Sequence, residues 1–361
     1  MDANDNSVGD ITHDLASLQF ENALTEEEKK YLLLRKRTHA ITVSFCAQAA
    51  YFVTILNECR QEIVELHNPK MIKSSKFLQD SQDKNPVQVG ILGCGRLGTH
   101  LANTLLTYAD VAPNELRIST RRPETLGDLQ ERGVQCFHNN ALLASSVHVL
   151  FICVLPSQLS TVAAEIRTKI SSHCTVYSFV SAVPITRLKQ ILRATHIIKP
   201  EIIWSLDNID KPWNNSLSIS TTLEDPISVD VTCPLSFNKS DAVISTKEKL
   251  AEMIIYSFVN MCTQLGLNRS QTLCIVNSVI LGLPSGREHV THFKIQHFTR
   301  KLSETDSQPF PKFDMTTVAA NETPLTKVIM KNEEIRKLFI KKYKTIFDKF
   351  YYWKGIKQVK N

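Results

Sequence analysis

The sequence predicts an α/β chain: a doubly wound parallel sheet flanked by an N-terminal helical extension and a mostly helical C-terminal region. Short apolar runs alternate with helix-patterned stretches between residues 87 and 200, the arrangement that builds a parallel sheet with helices on both faces. Hydrophobic residues make up 43% and charged residues 22%, a globular composition that excludes disordered, collagen-like and mucin-like chains. Glycine is scarce, only 11 in 361 residues. Four of them, Gly90, Gly93, Gly95 and Gly98, fall within nine residues, which marks a place where the backbone itself is used.

Residues 1–20 are polar. From Leu24 the pattern turns helical, with Thr25 as N-cap and Glu26, Glu27 and Glu28 at the positive end of the helix dipole, and a long helix or a helix pair runs to about His67. The apolar stretch Ile41–Leu56 is shorter than the ~20 residues of a membrane span and reads as a buried helix. Residues 68–86 are rich in Ser, Asp, Lys and Pro and read as a linker. VQVGILG (87–93) is a first strand, buried on both faces, followed by a helix over 99–109. A second strand covers 115–122. A helix over 123–133 has Pro123 in its first turn and Gly133 as its stop. Strands follow at 134–137, 148–156, 175–183 and, weakly, 196–200, with helices at 157–170 and 184–193. Beyond Pro200 the pattern weakens. Helices are expected at 247–267 and 269–283, a loop at 300–325, and a basic amphipathic helix at 327–352. The domain division that follows is 1–85, 86–205, 206–325 and 326–361.

The net charge of +6 is local. From Lys327 to Asn361 there are eleven basic and three acidic residues, so this segment carries +8 and the rest of the chain −2. The body is therefore no nucleic-acid binder. The nine cysteines are scattered without a C-x-x-C spacing, as in an intracellular, cytoplasmic protein with reduced thiols, and they form no zinc site. The N-terminus lacks a basic and apolar leader pattern.

Gly93-Cys94-Gly95-Arg96-Leu97-Gly98 fits G-x-G-x-x-G between a buried strand and a helix, with a second strand about 20 residues on. In such a Rossmann-type unit the first glycine makes the tight turn, the second lets backbone approach a pyrophosphate, and the third lets the helix sit on the strand. The helix N-terminus then offers amides and partial positive charge to the phosphates. Strand two decides the dinucleotide. An NAD site places Asp or Glu at its end to hold the ribose 2′-hydroxyl. This chain places Ser119-Thr120-Arg121-Arg122 there, hydroxyls and a guanidinium pair suited to a 2′-phosphate. The cofactor predicted is NADP.

VGILGCGRLGTHLANTLL, ISTRRPETL, VLFICVLPSQLSTVAAEI and VYSFVSAVPITRLKQIL, in that order, resemble the dinucleotide domain of pyrroline-5-carboxylate reductases and of the related F420-dependent NADP reductases, with the closest likeness to a divergent NADP-dependent branch of these homologues. The resemblance covers about 86–200. It implies that the turn Cys153-Val154-Leu155-Pro156-Ser157-Gln158 lines the cofactor beside its nicotinamide half, with Val154, Leu155, Pro156 and Gln158 as contacts, and that Ser181 in the Ser181-Ala182-Val183 turn lies near the substrate. MCTQLGLNRSQTLCIVNSVILG (261–282) is similar to the helical stretch with which the family builds its dimer, so a homodimer is a further implication, as is a place in proline biosynthesis. The glycine-rich S-G-S-G-P-A segment by which these reductases contact the imine acid has no counterpart: no glycine stands between Gly133 and Gly266, and the matching stretch reads VDVTCPLSFNKSDAVIST.

Cys94, at the helix N-terminus, is either a stabilised thiolate or a small filler, the second being favoured. His289, His292 and His297 lack a motif-grade third ligand, and no metal site is expected. His148 reads as structural. The aromatic face of the C-terminal helix is expected to pack on its own domain with its lysines solvated, rather than on a membrane. The expected activity is NADP-dependent hydride transfer to a small imine or carbonyl substrate, with no catalytic acid identifiable. The alternative is a non-catalytic NADP-binding protein that has lost its substrate site.

Overall fold

The computed structural model describes residues 23–67, 85–204, 213, 217–284, 291–299 and 307–353. The elements in chain order are α1 (Glu26–Lys29), α2 (Leu32–His67), β1 (Val89–Leu92), α3 (Arg96–Tyr108), β2 (Leu116–Ser119), α4 (Gly127–Glu131), β3 (Gln135–Phe137), α5 (Asn140–Ser145), β4 (Val149–Ile152), α6 (Pro156–Ile166), β5 (Thr175–Ser178), α7 (Ile185–Leu192) and β6 (Ile197–Ile198). They continue as β7 (Ile202–Trp204), α8 (Ile219–Glu224), α9 (Pro226–Thr232), β8 (Ile244–Thr246), α10 (Lys249–Gln264), α11 (Arg269–Leu281), α12 (Met315–Ala320), α13 (Pro324–Lys331) and α14 (Glu333–Trp353).

Six strands form one parallel sheet in the order β3-β2-β1-β4-β5-β6, the doubly wound topology with its switch point between β1 and β4. β1, β4 and β5 are buried at every residue, as their unbroken apolar runs require. Alternation sends Val89, Ile91, Phe151 and Tyr177 into a core shared with α2 and α3, while Leu150, Ile152 and Val176 face α5, α6 and α7. Thr25 is the N-cap of α1, as the sequence predicts, and it forms a reciprocal capping box with Glu28.

The N-terminal helical extension is packed into the rest of the chain. Residues Val43 to Cys59 of α2 include eleven core positions at 0–3% exposure, and the helix packs against α3, α8, α9, α10, α11 and α14. The helix from Glu26 to Leu66 is long and apolar enough to cross a membrane, but 78% of its most apolar window is buried inside the protein. That is the behaviour of a core helix. The aromatic face of α14 is likewise inside: Phe339, Tyr343, Ile346 and Phe347 are at 0–2% exposure, and Tyr343 stacks near Tyr51. Lys342 pairs with Glu58 at 2.7 Å and Lys344 with Asp230 at 3.2 Å, while Lys337 stays exposed.

Several boundaries differ from the sequence expectation. The helix over 123–133 is a 3-10 turn (Pro123–Leu126) followed by α4. The expected loop over 300–325 contains α12, and the basic helix is split at Asn332, whose side chain caps the first turn of α14. Between 201 and 245 the chain forms an antiparallel β7–β8 pair and two short capped helices, each too brief for hydrophobic periodicity to show. The linker over 68–84 and His289 lie outside the described residues.

The helical half is fastened to the sheet by Asn260 of α10, which is fully buried. Its amide nitrogen donates to His196 Nε2 (2.6 Å) and to the Phe313 carbonyl (2.8 Å), and its Oδ1 accepts from the Phe313 N–H (2.7 Å). Burial, with Lys312 nearby, lowers the pKa of His196 to about 4. His148, whose Nδ1 accepts from the Gln88 N–H at 2.9 Å, is held neutral, its pKa lowered to about 4 by burial and by Arg60 and Arg117. Both histidines stay neutral in the fold while the unfolded chain takes up protons below about pH 6.5. Stability is therefore full above that pH and falls as the pH drops toward 4. For the buried His196 the loss at pH 5 is about 2 kcal/mol. The denaturant midpoint at pH 5 is expected below that at pH 7; equal midpoints would refute this.

Candidate functional site

The glycine turn sits at the carboxyl end of β1, next to the switch point. Gly93 has φ +88°, which L side chains rarely adopt, and its N–H donates to the Ser119 carbonyl at 2.9 Å, tying the turn to the end of β2. A Cβ on Gly98 would lie 2.4 Å from the Gly93 carbonyl oxygen, so α3 can lie on the turn only because this residue has no side chain. A Cβ on Gly95 would meet nothing within 4 Å, which leaves that backbone open on its outer side. Gly95 is also the N-cap of α3 and supplies no side-chain cap. The N-terminus of this 13-residue helix thus has no side-chain cap, as an anion site requires. Gly98→Ala is expected to lower stability by about 1–3 kcal/mol through the forced shift of turn against helix, measured as the denaturant midpoint. An unchanged midpoint would show that the contact relaxes freely.

Around this turn the structure brings together most of the predicted set. Arg96 opens α3 and is exposed, Leu97 is half-buried, and Cys94 is half-buried with its thiol 3.6 Å from the Thr99 hydroxyl. Burial raises the Cys94 pKa, so the thiol form is favoured over the thiolate. Arg121 and Arg122 are both exposed at the turn after β2, and Thr120 beside them is half-buried with its N–H on the Phe137 carbonyl. Ser119 is placed differently. It is 1% exposed, donates its hydroxyl to Asn140 Oδ1 at 2.7 Å and accepts from the Asn139 N–H at 3.2 Å, so it braces the β2 end from inside. Asn140 in turn donates to Glu165 at 2.8 Å. This supporting pair is not marked by any local motif.

At the other side of the switch point, the turn after β4 carries half-buried Val154, exposed Leu155 (63%) and exposed Pro156, with Pro156 as first residue of α6 and Gln158 half-buried in its first turn. Ser181 is exposed in the turn after β5, where Ala182 has φ +57°. Glycine turn, arginine pair and the β4 and β5 turns all lie at the carboxyl edge of one sheet, the edge where doubly wound folds bind their ligands. Among the described residues no group of three or more His, Cys, Asp or Glu is placed to hold a metal ion.

A cavity of about 560 Å³ opens elsewhere, between β8, the start of α10 and α13, and none of its lining residues belongs to this set. Its lysines are already engaged: Lys239 donates to the Thr246 carbonyl, Lys247 pairs with Glu201 at 2.6 Å and Lys249 with the buried Glu252 at 2.9 Å. The glycine-turn edge is the better site on chemistry.

Residues 88–181 match the family of NADP oxidoreductases, coenzyme F420-dependent, so the domain that carries this edge is of the NADP-oxidoreductase type. Shorter matches of 104 to 127 residues link the chain to pyrroline-5-carboxylate reductases: the enzyme numbered 3 from Danio rerio is 26% identical over 127 residues, 35% of this chain and 44% of that protein. A solved pyrroline-5-carboxylate reductase from Coxiella burnetii aligns with 76% of this chain and 99% of its own at 14% identity, with a TM-score of 0.30, too low to bear on the site. NADP-dependent oxidoreductase domain-containing protein 1 of Mus musculus is 35% identical over 330 residues, 89% of this chain and 88% of that protein. At that identity over most of both chains, this chain belongs to the family of NADP-dependent oxidoreductase domain-containing protein 1.

Proposed function

We propose that the chain is an NADP-dependent oxidoreductase acting inside the cell, which moves a hydride between NADPH and a small imine or carbonyl compound. The observation that carries this reading is the pairing of an uncapped α3 N-terminus, over a turn closed by Gly93 and Gly98, with the exposed Arg121 and Arg122 at the end of β2. The residues fit the group. Backbone amides from Gly95 onward would hold a pyrophosphate, and the two guanidiniums with Thr120 would hold a 2′-phosphate. The nicotinamide half would lie toward Val154, Leu155, Pro156 and Gln158, with Ser181 near the substrate. When bound, NADPH supplies the hydride; the chain supplies orientation and a dry surface. The likeness to pyrroline-5-carboxylate reductases supports an imine acid as first substrate to try, and proline biosynthesis as the setting.

One observation favours the non-catalytic alternative. The stretch that the resemblance matches to the family's glycine-rich substrate segment is folded into α9, a 3-10 turn and β8, and Asp230 within it is engaged by Ser236 (2.8 Å), Asn238 (2.8 Å) and Lys344 (3.2 Å). The test is NADPH titration together with NADPH oxidation on pyrroline-5-carboxylate and a panel of cyclic imines and ketones. Turnover supports the enzyme. Binding without turnover on any substrate supports the alternative, and absence of binding overturns both.

A further inference from the structure

Helix α2 lies outside the matched domain, yet it reaches the carboxyl edge of the sheet. Its lower end is fixed beside the start of β1: Asn57 Oδ1 accepts from the Val87 N–H at 2.9 Å, and Arg60 donates to Asn85 Oδ1 at 2.9 Å. Midway, Phe52 packs on Tyr177 of β5, with ring centroids 5.7 Å apart. Higher still, Phe45 packs on Phe179, the residue just past the carboxyl end of β5, at 4.7 Å. The helix therefore runs antiparallel to the strands and rises above their ends. From Phe45 to Leu32 it continues for 13 residues, roughly 20 Å at 1.5 Å per residue.

This projecting part is braced. The Trp213 indole N–H donates to His39 Nδ1 at 2.9 Å, His39 Nε2 lies 3.0 Å from the Leu217 carbonyl, and the Arg37 guanidinium sits 5.2 Å from the Trp204 ring centre. Below it, five apolar side chains of the same core are only half-buried: Phe45 from α2, Cys94 and Leu97 from the glycine turn, Cys153 from the end of β4 and Ile185 from the start of α7. These five residues, from four elements near the strand ends, leave part of their apolar surface uncovered.

We infer that the upper part of α2 forms, within the same chain, one wall of the cofactor cleft, and that Phe45 is the side chain that meets the nicotinamide half of NADPH. The inference rests on the NADP reading above. In a doubly wound sheet the dinucleotide crosses the switch point. Arg121 and Arg122 assign the β2 side to the adenine half, so a side chain at the end of β5 bears only on the other half. Stripped of its ring, Phe45 loses an apolar face and leaves the β2 side untouched.

The experiment titrates full-length wild type, Phe45→Ala and Phe45→Leu with NADPH and with adenosine 2′,5′-bisphosphate, which keeps the 2′-phosphate and lacks the nicotinamide. Phe45→Ala is expected to weaken NADPH about tenfold while adenosine 2′,5′-bisphosphate binds as in wild type, which also shows that the variant is folded. Phe45→Leu, which keeps apolar volume, is expected to fall less. Equal weakening of both ligands in Phe45→Leu, or unchanged NADPH binding in a folded Phe45→Ala, overturns the inference and leaves the cofactor reading standing. A wild type that binds neither ligand overturns both.

Discussion

Arg121→Ala/Arg122→Ala is expected to weaken NADPH binding by about 3 kcal/mol, on the order of 150-fold, and to leave NADH binding within a few-fold of wild type. The two dinucleotides differ only by the 2′-phosphate, so only groups that touch it can separate them. A charge-assisted hydrogen bond contributes about 1.5–3 kcal/mol. Two of them would reach about 6 kcal/mol, but both guanidiniums are exposed and part of the gain is lost to solvent screening, which brings the expectation to about half. The loss should grow smaller at high salt for the same reason. Equal loss for NADPH and NADH would mean that the arginines hold the turn rather than the phosphate, and no loss for either would mean that they are solvated residues of a turn.

Asn260→Ala is expected to lower the stability of the whole chain by about 3–5 kcal/mol, measured as the free energy of unfolding in denaturant. Asn260 serves three partners at once, His196 Nε2 and both backbone groups of Phe313, and it is fully buried. Each buried polar group left without a partner costs about 1–3 kcal/mol, and truncation adds a small cavity. The same residue joins β6 at its start to α10 and to the segment leading into α12, so the cost falls on the junction between sheet and helical half. A loss under about 1 kcal/mol would show that water enters and replaces the amide. Asn260→Asp is the sharper companion: it keeps the shape but replaces the donor to His196 and the Phe313 carbonyl with an acceptor.

How much of this was legible before folding depends on the range of the interaction. The glycine turn was legible because its requirements are local: a φ near +88° at Gly93 and 2.4 Å of clearance at Gly98 are properties of six consecutive residues. β1, β4 and β5 were legible because strands buried on both faces must be apolar throughout. The arginines after β2 were legible because sheet topology fixes what lies at a strand end. Ser119 reads as their companion in sequence but points inward, because side chains alternate along a strand and its hydroxyl meets Asn140. The β7–β8 pair and helices α8, α9 and α12 left no trace, since three to seven residues are too few for periodicity.

By itself the sequence determined the parallel sheet, the glycine-rich turn within it and NADP as the cofactor, since each follows from contiguous residues whose backbone and charge requirements are met within one βαβ unit. Only the tertiary structure decided which elements α2 packs against, that Lys342 and Lys344 of α14 are paired with Glu58 and Asp230, and that Phe45 stands beside Phe179 at the end of β5. An amphipathic helix reveals that it will bury a face, but the partner is chosen by long-range packing among many apolar surfaces of similar worth.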